Sequence, residues 1–178
     1  MSMKIIVGAL AIAFLAGCAS PPPLNFSVQG LEPSTRKIDA DLKSISVSFA
    51  GPSETRGEIP SNGEGVPGLW ESSLKEGVNR IAVFDDDSAR KVNVFVKITE
   101  LDIPGGGASM TTKASAIYQV VNRKTGKVIY EREVSNIGTV SGTYAFYGVT
   151  RLKESINRAV QENIRIFLDA ISVANLDA

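Results

Sequence analysis

From Lys43 to Phe49 (KSISVSF) apolar residues fall at 45, 47 and 49 with serines between them, the period-2 pattern of a half-buried strand. Ahead of it, Leu24 to Asp41 is mixed and polar with no sustained period and reads as an extended arm. Behind it, Gly51 to Gly65 (GPSETRGEIPSNGEG) is dense in Gly, Pro, Ser and Asn and predicts an exposed loop. Val66 to Asn79 places Leu69, Trp70, Leu74 and Val78 at helical spacing, with Pro67 suited to the first turn. A short apolar stretch, Arg80 to Phe84, ends in Asp85-Asp86-Asp87. Lys91 to Ile103 has the strongest strand pattern: Val92, Val94, Val96 and Ile98 share one face, then Leu101 and Ile103 take the opposite parity. One switch of parity predicts a bulge near Thr99-Glu100. Met110 to Val121 and Lys127 to Val134 read as a hairpin joined by Asn122 to Gly126, with the glycine at the left-handed position. The longest periodic run closes the chain, Val149, Leu152, Ile156, Val160, Ile164, Phe167 and Ile171 recurring every three or four residues as in an amphipathic helix. The order β-α-β-β-β-α predicts an α+β fold: two layers, a mostly antiparallel sheet with both helices on one face. The expected division is a single domain over residues 42–174 and a tail over 175–178.

The N-terminus changes the picture. Lys4 and the apolar run Ile5 to Leu15 have the charge and length of a secretory signal, and the run is shorter than the roughly 20 residues of a spanning helix. Leu15-Ala16-Gly17-Cys18 follows and resembles the lipobox of bacterial lipoproteins, in which the cysteine takes a diacylglycerol thioether and becomes the first residue. The chain has 1 cysteine, and it stands at that position. This predicts a signal peptide over residues 1–17 and a lipid anchor with a proline-containing linker over 18–41. The covalent lipid on Cys18 is the one expected cofactor; the simpler alternative is a signal cut without lipidation. Ala19 and Ser20 stand where an Asp would retain a lipoprotein in the inner membrane, so the resemblance implies the outer membrane, periplasmic side.

Charge then narrows the function classes. The chain carries 19 Lys and Arg against 19 Asp and Glu, with no histidine. That balance favours neither a nucleic-acid partner nor a polybasic membrane patch. Without histidine, Ser-His-Asp and Cys-His catalysis lack their base, and the commonest metal ligand is missing. Asp85 to Asp87 could meet a hard cation, but adjacent carboxylates project in different directions, and a solvated turn is the simpler reading. Gly105 to Gly107 lacks the Lys and Ser/Thr of a phosphate loop and reads as a connector. Ser44, Ser46 and Ser48 lie on an outward strand face with no base to activate them. Neither a catalytic residue nor a metal site is expected. Trp70 reads as a core anchor or a partner contact, and Tyr144, Phe146 and Tyr147 as packing beneath the last helix or as a lipid or protein contact. These four form the candidate binding surface.

The stretches "CASPPPLNFSV", "DLKSISVS", "DDDSARKVNVFVKI" and "ESINRAVQENI" resemble a family of small proteobacterial envelope lipoproteins. Members are sometimes called UDP-N-acetylglucosamine acyltransferases. That enzyme is similar to a left-handed β-helix of hexapeptide repeats with a catalytic histidine, and this chain has neither. A looser similarity is to LptE-like envelope-assembly lipoproteins, in lipobox, small helix-on-sheet domain and closing helix. The implied function is a non-enzymatic outer-membrane lipoprotein whose periplasmic domain binds an envelope protein or glycolipid and aids assembly. The alternatives are a small-ligand or lipid-binding module between sheet and helices, and an envelope enzyme working through carboxylates alone.

Overall fold

A computed structural model describes residues 22–176. It is an α+β fold with strands β1 (Asp41–Phe49), β2 (Lys91–Asp102), β3 (Met110–Asn122) and β4 (Val128–Val140), and helices α1 (Val66–Ile81) and α2 (Gly148–Ser172). The strands follow the spatial order β1-β2-β3-β4. β1 runs parallel to β2 through the α1 crossover, and the other pairs are antiparallel. α1 packs on β1, α2 crosses β3 and β4, and the helices meet each other.

The parity switch in β2 is a bulge. Ile98 pairs with Ala116 and Glu100 with Ser115, leaving Thr99 as the extra residue. Val92, Val94, Val96 and Ile98 therefore face the helices, and Leu101 returns to that face after the kink. The β3–β4 turn closes through Gly126 at φ 68, with the Gly126 N–H donating to Asn122 O at 2.8 Å. On α2, the buried stripe Ile156, Val160, Ile164, Phe167 and Ile171 follows the expected spacing, whereas Val149 is exposed at the helix start.

Three segments depart from the expected pattern or add to it. β4 continues past Val134 to Val140, because Ile137 faces solvent and Gly138 faces α2. A Cβ on Gly138 would lie 2.4 Å from Ala159 N and Ser155 O, so the close helix backbone occupies the place where an alternating strand carries an apolar side chain. The 51–65 loop is pinned: Arg56 N–H donates to Thr99 O at 3.0 Å and Leu101 N–H to Glu58 O at 2.7 Å, pairing the edge of β2 beyond the end of β1. Its side chains reach the outer face of the sheet, where Arg56 pairs with Glu133 and Glu54 with Lys97.

The third departure is the arm, expected to be a linker as far as residue 41. Phe26, Val28, Ile38 and Ala40 are buried, and Phe26 meets Trp70 edge to face at 6.4 Å. Asn25 is held from α2, its N–H donating to Asn157 Oδ1 at 2.9 Å and its carbonyl accepting from Gln161 Nε2 at 2.8 Å. The packed domain thus begins near Leu24. At the other end Leu176, expected in a tail, is buried, and its carbonyl accepts from Arg90 at 3.0 Å. Among the described residues no helix is long and apolar enough to cross a membrane.

Candidate functional site

The topology collects several chain ends on one side of the sheet. β1 and β2 run out there at Phe49 and Asp102, β3 enters at Met110 and β4 leaves at Val140. Loops 50–65, 103–109 and 141–147 therefore share that end with the first turns of α1 and α2. The N-terminal arm arrives at the same place. Leu24 lines a groove of about 270 Å³ with Val66, Ile103, Val149, Leu152 and Ile156.

The 141–147 loop is built to hold its aromatic side chains outward. Phe146 is 92 % exposed, Tyr147 66 % and Tyr144 50 %, so the alternative in which they pack under α2 is corrected. The backbone beneath them is fixed. The Arg151 guanidinium donates to the carbonyls of Ala145 at 2.6 Å and Phe146 at 3.0 Å and reaches Gly107 O at 3.4 Å. This ties the loop to its 103–109 neighbour. Gly142 permits the approach, since a Cβ there would stand 2.9 Å from Ala108 O. Phe146 and Tyr147 meet edge to face at 5.4 Å, and the Arg158 guanidinium lies 5.2 Å from the Tyr144 ring centroid. Tyr147 also occupies the N-cap of α2 in extended geometry, although its side chain makes no capping hydrogen bond. Ser, Thr, Asp or Asn satisfies orphan amides at such a position. The position has an aromatic surface residue instead of a stabilising cap.

Trp70, grouped with these residues on sequence, lies elsewhere. It is 0 % exposed, so it offers no surface to a partner. Its indole Nε1–H donates to Tyr118 Oη at 3.2 Å, and the Tyr118 hydroxyl donates to Asn163 Oδ1 at 2.8 Å. Asn163 Nδ2 then donates toward the carbonyls of Ala114 and Val134 at 3.2 Å and Asn136 Oδ1 at 2.9 Å. The chain of hydrogen bonds joins α1, β3, α2 and β4 in the dry interior. Tyr118 stacks on Phe167 at 4.2 Å, and burial pushes its hydroxyl pKa far above the usual tyrosine value. Sequence reading missed this network. The signal that finds it is Asn163, a polar residue three positions from Val160 on the apolar face of α2.

The remaining candidates are structural in form. The buried carboxylates Asp41 and Glu100 are both paired. Asp41 accepts from Lys43 and Lys91 at 2.6 Å, contacts that hold its pKa below the ordinary value against the opposing effect of burial. Glu100 accepts from Ser115 Oγ at 2.9 Å and Lys113 at 3.0 Å beneath Gly57. Asp85 accepts from Asp87 N–H at 3.1 Å in a tight turn. Ser44, Ser46 and Ser48 stand exposed on the outer face. No group of three or more His, Cys, Asp or Glu among the described residues is gathered to hold a metal ion. Cys18 lies outside the described residues.

No family model matches the chain, and no curated protein matches it. Solved structures do. Protein XCC0632 from Xanthomonas campestris, of family DUF330, is 9 % identical, with 83 % of this chain and 93 % of that chain covered at a TM-score of 0.50. A PelC dodecamer from Paraburkholderia phytofirmans is 11 % identical, with 82 % and 96 % covered at a TM-score of 0.51. The minor lipoprotein from Acinetobacter baumannii is 12 % identical, with 73 % and 92 % covered at a TM-score of 0.43. At these identities the likeness to XCC0632 and to PelC establishes the shared fold alone.

Proposed function

We propose that this chain is a non-enzymatic lipoprotein of the outer membrane, anchored through Cys18, whose periplasmic domain binds an envelope protein or glycolipid as an assembly or maintenance factor. The observation that carries this reading is Leu15-Ala16-Gly17-Cys18 after an apolar run, with the sole cysteine at the acylation position. Attachment through several acyl chains gives a stable anchor at about 0.8 kcal/mol per buried CH2, with no need of a spanning helix. Ala19 and Ser20 favour the outer over the inner membrane. The ion pairs that occupy both buried carboxylates speak against an enzyme working through them.

A ligand site between sheet and helices is the weaker reading, because Trp70, Tyr118 and Phe167 fill that space. The groove at Leu24 is about 270 Å³, just below the roughly 300–1,000 Å³ usual for small-molecule pockets.

Intact mass and membrane fractionation of the wild type beside Cys18→Ala test the anchor. The wild type is expected to carry acyl mass and float with outer membranes, and the variant to do neither. Crosslinking in the intact envelope then tests the partner, and a wild type that crosslinks to nothing overturns the binding role.

A further inference from the structure

We propose that Tyr144, Phe146, Tyr147 and Val149 form a second membrane contact, entering the headgroup region of the bilayer in which Cys18 is anchored. The proposal rests on the lipoprotein reading above and adds a surface and an orientation to it.

The first argument is the length of the tether. Leu24 shares a groove with Val149 and Leu152 at the start of α2. Cys18 stands six residues earlier, a span of at most roughly 20 Å at about 3.3–3.6 Å per residue. α2, with 25 residues, is about 37 Å long at 1.5 Å per residue. The end of the domain that carries the aromatic loop therefore stays within a short tether of the bilayer, and Val173 at the far end of α2 does not.

The second argument is the loop itself. Phe146 projects almost wholly into solvent while Arg151 fixes the backbone carbonyls on either side of its Cα, so the exposure is built in and not a product of slack. From Ser141 to Thr150 (SGTYAFYGVT) there is no charged residue, and the Arg158 guanidinium against the Tyr144 ring is paired with Glu154 at 2.8 Å, so entry of the loop into the headgroup layer strands no unpaired charge of its own. Tyrosine has an apolar ring and a polar tip, the combination enriched at the level of lipid headgroups. Lys153, in the first turns of α2, is cationic and suits the phosphates of that layer. A cluster of large apolar side chains in full exposure marks an interaction surface, and the tether places a lipid surface against this one.

The test uses the full, acylated protein reconstituted in vesicles of phosphatidylethanolamine and phosphatidylglycerol with brominated acyl chains. Tryptophan is introduced singly as Phe146→Trp or, at the far end of α2, as Val173→Trp. The native Trp70 is buried in the core and gives a background out of reach of the bromines. The Phe146→Trp variant is expected to lose most of its added emission to brominated lipid, and Val173→Trp to keep its own. An acylated protein that floats with the vesicles while both variants stay equally bright overturns this proposal alone, and assigns the loop to a protein partner. Quenching confined to Val173→Trp overturns it as well. A protein without acyl mass that fails to float overturns the lipoprotein reading and this contact together.

Discussion

The molecule contains two aromatic groups of opposite character. Inside, Phe26, Trp70, Tyr118 and Phe167 come from the arm, α1, β3 and α2, and each polar atom on their rings has a partner. Outside, Tyr144, Phe146 and Tyr147 sit within four residues of chain, half to almost wholly exposed, with Phe146 against Tyr147 and Arg158 against Tyr144. The inner rings are joined by long-range contacts, and removing one leaves a cavity or an orphaned hydrogen bond. The outer rings rest on a backbone that Arg151 holds through carbonyl groups, so their side chains bear on what the loop meets and hardly on the fold. Substitution separates the two roles.

Trp70→Ala is the largest expected effect. Truncating a buried Trp or Phe costs about 3–5 kcal/mol through lost transfer energy and a residual cavity, and here the Tyr118 hydroxyl also loses a donor. Denaturant unfolding should show the unfolding free energy lowered by that amount. A loss under about 1 kcal/mol would be the scale of an ordinary surface change and would mean that the ring is not packed as described.

Tyr118→Phe keeps the stack on Phe167 and removes only the hydroxyl. Asn163 Oδ1 and Trp70 Nε1 then lose their partner, and unsatisfied buried groups cost about 1–3 kcal/mol. The same variant changes the alkaline limb of stability. The unfolded tyrosine ionises near its ordinary value of 10.0, whereas burial keeps the folded hydroxyl protonated well above it. Above that pH the unfolded state binds fewer protons than the native state, so stability falls as pH rises, by about 1.4 kcal/mol per unit for one such group. Tyr118→Phe should flatten that fall. Tyr130, whose pKa burial also raises, retains a smaller part of it. An unchanged alkaline slope in urea unfolding between pH 9 and 11, roughly one unit to either side of the ordinary tyrosine value, would mean that Tyr118 is not sealed.

Tyr147→Ser turns the outer group into a stability experiment of the opposite sign. The position already has N-cap geometry without a capping side chain, and Ser there satisfies an α2 amide, a gain on the order of 1 kcal/mol. A raised melting temperature together with weaker membrane contact would show that the aromatic residue is retained at the expense of stability, as at many functional sites. A lowered melting temperature would mean that the ring supports the fold after all.

Much of the architecture was legible wherever a side chain alternates between core and water. The parity switch at Thr99 announced the bulge, Gly126 the hairpin, and the stripe from Ile156 to Ile171 the closing helix. Illegible were the places where backbone, not side chain, makes the contact. Gly138 hides nearly the last half of β4 because it makes room for α2, and the 51–65 loop is ordered by amide and carbonyl groups that every sequence has. The arm was missed because Phe26 and Val28 are too few to set a period, though both are buried. For the candidate site, the likeness of Leu15 to Cys18 to a lipobox rests on local chemistry alone, and the residue types of the aromatic loop were visible. That Tyr144, Phe146 and Tyr147 face outward, and Trp70 inward, depends on which chain ends the sheet brings together, and no local pattern encodes that.

Phe146→Ser is the smallest expected change in stability and the sharpest test of the comparison. A side chain that is 92 % exposed has almost no buried apolar area to lose on truncation, so stability should move by no more than a surface substitution moves it, within about 0.5 kcal/mol. The Arg151 bonds run to the backbone carbonyls of Ala145 and Phe146 and survive the change. What should fall is retention of the acylated protein on vesicles, since each buried aromatic adds to the anchor's own hydrophobic free energy. If stability falls instead and retention is untouched, Phe146 belongs with the inner group and the division drawn between the two is wrong.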